Sequence, residues 1–384
     1  MPNKRRSPNK RKDTGKKKKA TKVFKRLVAA IVLIVVGVGV PKLLSLSPTL
    51  VENVYTQRLY PAIRQVVGYL PTYTEVSFTE VSAWILAATV IAIIAAFVLK
   101  LISGSLTLKG TISFWTSLLL IAGIVLNLFN ITGGLNYHNI PLRNKLGLHI
   151  KERTNDQLYG YCTYLRGEAI KLRREVSVND KGIFCVTDVR DTLLRTAHDV
   201  ECIESINPWQ VSVPSAKQLI LPQVMTAFGL SGICMPFYAE ASVNTAQPSL
   251  LIYSSAAHEN AHYLGISGED EANFAAYLAC TGSKDVNIRY SGVMLALIES
   301  AGRLYELDKG LYTELLNGMS NEVRADLEDY SRYWNGKSDT VAGKLSSGLN
   351  DAYLKYNGKS SGERSYGEMV DLLLAYYAKC NGGE

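Results

Sequence analysis

The chain has 384 residues, which is enough for a membrane anchor together with one large domain. Its charge is unevenly distributed. Residues 1–26 contain thirteen Lys or Arg and one acidic residue, Asp13, so this tail carries a net charge of +12. Because the whole chain carries +8, the remainder is net −4, and the composition gives no sign of a basic surface outside the tail.

The tail contains the run KRRSPNKRKDTGKKKKATKVFKR, which cannot bury apolar area, so we expect it to be disordered. Runs of Lys and Arg bind nucleic acid in some proteins. Beside an apolar segment they more often hold one end of the chain on the cytoplasmic face, against anionic lipid. We therefore predict a cytoplasmic tail at residues 1–26 that binds anionic lipid, and no nucleic acid partner.

Three apolar segments follow the tail, and each is long enough to cross about 30 Å of hydrocarbon as a helix. The second and third contain runs of nineteen and twenty uncharged residues. Pro41 and Lys42 interrupt the first segment, but Lys42 can snorkel to the far interface. A cleavable signal peptide is the alternative for this segment, although no small-residue cleavage pattern follows it. The predicted transmembrane helices are residues 27–47, 81–102 and 112–136.

The orientation of these helices follows from the basic tail, which the positive-inside rule keeps in the cytoplasm. Residues 48–80 then form an extracytoplasmic loop, residues 103–111 a cytoplasmic loop, and residues 137–384 an extracytoplasmic domain. All of the cysteines lie in this last segment, where an even number is typical of disulfides, the alternative being scattered buried thiols. They are Cys162, Cys185, Cys202, Cys234, Cys280 and Cys380.

The stretch HENAH places His258 and His262 four residues apart, with Glu259 directly after the first histidine. On an α-helix this spacing puts both imidazoles on one face, while the glutamate lies about 100° around the axis. Zn²⁺ accepts neutral imidazole nitrogen and leaves a position for water, from which an adjacent carboxylate can take a proton. The motif therefore predicts a metal site with Glu259 as base, the alternative being a buried helix with a coincidental pair of histidines.

A helix with two ligands needs a third ligand from elsewhere in the chain. Leu264–Gly265 is predicted to end the first helix, and SGEDEANFAAYLAC to begin a second helix with acidic residues in its first turn. Glu269 and Glu271 are the nearest candidates, although either can instead complement the helix dipole. Being two residues apart, they lie about 200° apart on a helix and cannot both face one ion. Glu240 is a weaker candidate upstream.

These residues resemble the zincin metallopeptidases that use a glutamate as the third ligand. In that branch the HExxH helix is followed by a helix with Glu-x-x-x-Asp, whose Asp supports a ligand histidine. GEDEAN is similar to this pattern, with Glu269 in the ligand place and Asn273 in the supporting place. The resemblance implies that His258, His262 and Glu269 hold Zn²⁺ and that the Asn273 side chain supports a ligand histidine by accepting a ring N–H. Glu271 stays open as the alternative third ligand.

A second resemblance covers most of the chain. Three N-terminal spans followed by a set of short stretches resemble a bacterial membrane-protein family of unknown function that carries the HExxH arrangement. The resemblance implies a zincin-like peptidase domain without defining its substrate. The stretches are GLNYHNIPLRNKLGL, GLSGICMPFYAEASVN, HENAHYLGISGEDEANFAAYLAC, YSGVMLALIES and SYGEMVDLLLAYY.

The predicted fold is an α-helical membrane anchor of three transmembrane helices, followed by a mainly α, α+β zincin-like extracytoplasmic domain at residues 137–384. The predicted function is a membrane-anchored, Zn²⁺-dependent metallopeptidase of the cell membrane that acts on a peptide or protein substrate. Two alternatives stay open. One is a non-enzymatic exported module with a structural or vestigial metal site, and the other is a zinc hydrolase with a non-peptide substrate.

Overall fold

The computed structural model describes residues 8–208, 211–337, 340–357 and 368–382. The chain divides into two compact units. The anchor unit comprises Met1–Ser47 and Ser82–Thr132, and the main unit comprises Pro48–Val81 and Gly133–Glu384. The segment between the first two predicted spans, treated as a loop in the sequence analysis, is therefore grouped with the large C-terminal part of the chain.

Most of the described chain is helical. A π-helix covers Val51–Leu59, and 3₁₀-helices cover Gly134–His138 and Ser249–Leu251. The strands are β1 (Lys217–Gln218), β2 (Gly232–Met235) and β3 (Glu240–Val243). The α-helices are α1 (Pro8–Leu44), α2 (Pro48–Leu50), α3 (Tyr60–Val67), α4 (Tyr69–Thr72), α5 (Phe78–Ile102), α6 (Leu108–Thr132), α7 (Leu142–Lys145), α8 (Asn155–Arg173), α9 (Val189–Glu201), α10 (Pro222–Ala227), α11 (Ile252–Tyr263), α12 (Glu269–Gly282), α13 (Val286–Leu307), α14 (Lys309–Asn317), α15 (Asn321–Trp334), α16 (Val341–Tyr356) and α17 (Glu368–Cys380).

Three helices are long and apolar enough to cross a membrane: residues Thr21–Leu44 of α1, all of α5 and all of α6. Their apolar side chains are largely exposed, as lipid-facing surfaces would be. These helices indicate a membrane-embedded protein, as the sequence predicted. The third ends at Thr132, four residues before its predicted end.

The basic tail differs from the disordered segment that the sequence predicts, because α1 begins at Pro8 and runs through the lysine-rich stretch without a break. Lys, Arg and Ala are good helix formers, and the apolar segment that follows supplies a helix from which the tail can propagate. Residues 1–7 lie outside the described residues.

Within the anchor unit, α1 and α6 pack closely and run in the same direction. The side-chain amide of Asn127 donates to the Leu33 carbonyl, and that of Asn130 donates to the Gly37 carbonyl, each at 2.7 Å. Asparagine amides commonly join helices in this way in an apolar medium. The bonded residues advance in the same direction along both helices, so the first and third spans are parallel. This is expected when one span, α5, crosses the membrane between them.

The core of the main unit surrounds a small sheet and the helix α11. The strand order is β1-β3-β2, with β1 parallel and β2 antiparallel to β3. Helix α11 packs against β2 and β3 on one side and against α9, α12 and α13 on the others. Tyr253, Phe274 and Tyr290 are fully buried in this core. Helix α11, which contains the HENAH motif, is thus held on several sides.

The predicted disulfides are wrong, because all six cysteines are free in the structure. Cys162 and Cys280 are fully buried and pack as small apolar side chains within helices, whereas Cys202 and Cys380 are exposed. Free cysteines are commonly buried in this way, so an even count alone does not indicate disulfide pairing. Cysteine content therefore gives no support to an extracytoplasmic location.

Candidate metal centre

The C-terminal end of α11 orients the second histidine of the motif. Gly265 has a φ of +94°, a conformation that favours glycine. Its N–H bonds to the His262 carbonyl, and the N–H of Ile266 bonds to the Ala261 carbonyl, which together form a Schellman motif. The chain then turns back, and the Ile266 carbonyl accepts a hydrogen bond from His262 Nδ1 at 2.7 Å. The helix ends at Tyr263, where the sequence predicts that it does.

Helix α12 brings the next two site residues to the histidines. Glu269 is its first residue, and Asn273 follows one turn later on the same face. The Oδ1 atom of Asn273 lies 2.7 Å from Nδ1 of His258 and accepts a hydrogen bond from its N–H, which is the contact that the resemblance implied. When the two rings are neutral and both Nδ1 atoms donate, each Nε2 atom has a lone pair available for a metal ion. His258 Nε2 lies 3.2 Å from Glu269 Oε2, and His262 Nε2 lies 3.7 Å from Oε1.

His258, His262 and Glu269 form a cluster that could hold a metal ion. Their ligand atoms all lie within 4.8 Å of one another. The side chains are between 12 and 16% exposed, so the site is shielded but can be reached from solvent. Tetrahedral ligands about 2.0 to 2.1 Å from a zinc ion are separated by about 3.3 Å. Only a small approach of the three side chains would be needed for such coordination.

The protonation of the cluster reflects the same geometry. Burial by itself lowers the pKa of His262, but the neighbouring Glu269 carboxylate outweighs this effect and raises the pKa to about 9. Burial in turn raises the pKa of Glu269, but the two histidines outweigh it and hold that pKa well below the usual range. Since a metal needs neutral imidazole, metal binding would displace a proton from His262, and metal affinity would fall with falling pH.

Glu259 lies between α11 and strand β2. Its carboxylate accepts a hydrogen bond from the N–H of Cys234, and burial raises its pKa. A Cβ atom at Gly232 would lie 2.5 Å from Oε1 of Glu259, so only glycine leaves room for the carboxylate at that position of β2. A carboxylate that is held in position next to a candidate metal site, and whose pKa is raised, is suited to take up and release a proton.

The other two predicted ligand candidates do not join the cluster. Glu271 lies on the opposite side of α12, where its Oε1 atom accepts a hydrogen bond from the backbone N–H of Leu142 at 2.6 Å. Glu240 is buried in β3, with Oε2 2.7 Å from Lys217 Nζ and Oε1 2.8 Å from the hydroxyl of Ser77. Both carboxylates thus make other contacts.

A further carboxylate near the site, Glu299, was missed by the sequence analysis. It lies on α13, and burial raises its pKa to about 7, with a smaller opposing effect from the charge of His258. The charge of Glu299 in turn helps to raise the pKa of the half-buried Tyr330. An acidic residue within the apolar run VMLALIES was the available signal in the sequence.

Replacing Glu299 with glutamine should change how stability depends on pH in the metal-free protein. The pKa of Glu299 is about 7 in the folded protein and has its ordinary value of 4.5 in the unfolded chain. The folded state therefore loses stability relative to the unfolded state as pH rises from about 4.5 through about 7. Glutamine does not ionise, so at pH 8 the variant should be more stable by about 3 kcal/mol. Thermal unfolding in detergent with a chelator measures this, and parallel pH profiles for the two proteins would contradict it.

The segment between the first two spans also contributes to the site. The Nη1 atom of Arg64 donates to the carbonyl of Tyr263 at 2.8 Å, and the hydroxyl of Tyr60 donates to the same carbonyl at 3.2 Å. Tyr263 follows directly after His262, and the buried guanidinium complements the negative end of the helix dipole. Nothing in the sequence near these residues links them to the motif, so the sequence does not predict these contacts.

Comparisons with known proteins place the chain in a family. No curated protein and no solved structure matches it. A family model does match, over residues 55–374. The matched region includes α5, α6, the cluster and Glu259, and it covers well over half of the chain. The chain therefore belongs to the family described as "Protein of unknown function (DUF3810)".

Proposed function

We propose that this chain is a membrane-anchored metallopeptidase in which His258, His262 and Glu269 hold Zn²⁺. The observation that carries the proposal is the arrangement of donors. Two imidazoles whose Nδ1 atoms already donate turn their Nε2 atoms towards one carboxylate, and Glu259 follows the first histidine. Catalytic zinc sites use three protein ligands of this kind and leave one position open.

Glu269, and not Glu271, is the proposed third ligand. Glu269 faces both Nε2 atoms, whereas Glu271 accepts a hydrogen bond from the backbone N–H of Leu142. Two nitrogen donors and one carboxylate suit zinc better than calcium or magnesium, which prefer oxygen ligands. Zn²⁺ bound there would polarise a peptide carbonyl and lower the pKa of a water molecule.

The other residues of the site would prepare the protein for peptide hydrolysis. Glu259 would take a proton from the attacking water and pass it to the leaving amine. The N–H of Cys234 holds its carboxylate in place, while the Asn273 side chain and the Ile266 carbonyl fix the orientation of the two rings. Such supporting contacts typically change metal affinity or activity about 10- to 100-fold.

A purely structural metal site is the less supported alternative. Such a site usually has four protein ligands, commonly Cys or His. Within the described residues the cluster contains three, and the nearest thiol along the chain, Cys280, is fully buried with a pKa that burial raises above its usual range. A hydrolase with a non-peptide substrate would use the same ligands, so substrate profiling separates it from a peptidase.

Purified full-length protein in detergent provides the test of this function. We expect about one zinc ion per chain by elemental mass spectrometry, and hydrolysis of a mixture of fluorogenic peptides. Removal of the metal with 1,10-phenanthroline should abolish hydrolysis, and added Zn²⁺ should restore it. Substoichiometric metal, or hydrolysis that a chelator does not affect, would overturn the proposal.

We also propose an orientation for the chain in the membrane. The N-terminal tail is cytoplasmic, where anionic lipid would bind its basic residues, and the part of the chain after Gly134 is extracytoplasmic. The charge of the tail supports this orientation, and the parallel first and third spans agree with it. Protease added to intact protoplasts should digest the C-terminal part and spare the tail. The reverse pattern would show that the orientation is inverted.

A further inference from the structure

An exposed apolar surface lies beside the start of α5. Glu80, in the first turn of this helix, accepts hydrogen bonds from the backbone N–H groups of Ile220 and Leu221 at 2.7 and 2.8 Å. Glu80 precedes the first residue of the anchor unit, Ser82, by two positions, which is about 3 Å along a helix. The segment that leads into α10 is therefore held next to the point where the chain enters an apolar span.

A second segment of the main unit joins the same surface. The Nζ atom of Lys217 donates to the Val76 carbonyl at 2.8 Å and lies 3.2 Å from the hydroxyl of Thr74. This contact ties β1 to the end of the segment between the first two spans. Six large apolar side chains on the two segments are between 40 and 77% exposed. We call them the collar, and they are Leu70, Tyr73, Val76, Ile220, Leu221 and Val224.

Solvent is a poor environment for the collar. Exposed large apolar side chains that gather on adjoining segments, unlike single scattered ones, are typical of a site of interaction. The nearest apolar partner is the bilayer, because α5 continues from Glu80 without a break into a helix that is long and apolar enough to cross it. Aromatic residues such as Tyr73 are enriched at the level of the lipid headgroups.

We propose that the collar is buried in the interfacial region of the lipid bilayer, so that the main unit docks on the membrane through Ile220–Val224 as well as through the span. The docking does not depend on hydrolysis. It has a consequence for the substrate, which rests on the proposed function: a site near the bilayer would act on peptide segments close to the membrane surface.

The proximity of the site to the bilayer follows from strand β2. The ring of Tyr238 lies 6.1 Å from that of Phe78, the first residue of α5, measured between centroids. Four residues, at most about 14 Å of chain, separate Tyr238 from Cys234, whose N–H contacts Glu259. With the length of the Tyr238 side chain and the contact between Cys234 and Glu259 added, the proposed base is within about 30 Å of the start of the span.

Fluorescence quenching by lipids tests the docking in full-length protein reconstituted into phosphatidylcholine and phosphatidylglycerol vesicles. The variants Ile220→Cys and Tyr73→Cys, made with Cys185, Cys202 and Cys380 replaced by Ser, carry an environment-sensitive fluorophore. The matched control is Leu307→Cys on α13, a residue about as exposed as Leu221. Doxyl lipids should quench the fluorophore at both collar positions at least about threefold more than at the control.

Two results would overturn the proposal. One is quenching at positions 220 and 73 that does not exceed quenching at position 307. The other is protection of the collar that depends on protein concentration and occurs without lipid quenching, which would assign the surface to a second copy of the chain. The labelling sites lie on different segments, so misfolding of one variant leaves the other informative. Because no measurement involves metal or hydrolysis, the outcome is independent of the proposed enzymatic activity.

Discussion

Replacement of Glu259 by glutamine is expected to leave the metal bound and to lower peptide hydrolysis by about 10²- to 10⁴-fold. An amide cannot take a proton from the attacking water, but it has nearly the same shape as the carboxylate. Its oxygen can still accept the hydrogen bond from the N–H of Cys234, and it fits against Gly232 as the carboxylate does. Zinc content and peptide hydrolysis, measured on the same full-length preparation, check both parts of this expectation.

The matched control for this experiment is Glu271→Gln, which makes the same chemical change at a buried carboxylate outside the cluster. It should keep both the metal and the activity, since glutamine can still accept the bond from Leu142. Undiminished hydrolysis by Glu259→Gln would show that Glu259 is not the base. Loss of the metal in that variant would show instead that the carboxylate holds the site together.

Zinc affinity should fall by more than about 100-fold in Glu269→Gln and by less than about threefold in Glu271→Gln. Loss of a direct ligand is expected to exceed the roughly 100-fold effect of removing a supporting contact. Of these two glutamates, only Glu269 faces the histidines, with carboxylate oxygens 3.2 Å from Nε2 of His258 and 3.7 Å from Nε2 of His262. Competition with a chromophoric chelator at pH 8 measures both affinities. A large loss confined to Glu271→Gln would transfer the ligand role to that residue.

The pH dependence of zinc affinity gives this comparison a second readout. In the metal-free wild type the pKa of His262 is about 9, so below pH 9 the ion must displace a proton and affinity should fall about tenfold per pH unit. Without the Glu269 charge, burial would lower the pKa of His262. In Glu269→Gln the zinc affinity should therefore begin to fall only at a lower pH than in the wild type. Identical pH profiles would mean that Glu269 does not act on His262. No loss in either variant would direct attention to Glu240 or Glu299.

Features that depend on local periodicity were predictable from the sequence. The i, i+4 spacing of His258 and His262 places both rings on one helix face, and Gly265 ends that helix because only its conformation allows the reversal. Asn273 faces the first histidine, as the pattern implied. The three apolar helices could likewise be predicted, because the length and composition of a helix that can span a membrane are properties of a continuous segment.

Tertiary structure decided everything that joins distant segments. The spacing of Glu269 and Glu271 allowed only one of them to face the cluster, but the path of the turn before α12 determined which one it is. Arg64 holds the end of α11 from a segment about 200 residues away, and Gly232 of strand β2 leaves room for the Glu259 side chain on that helix. The cysteines are free because the fold does not pair them, which a count cannot reveal. Such contacts depend on the three-dimensional path of the chain, whereas hydrophobic periodicity and helix-ending signals act within a few residues.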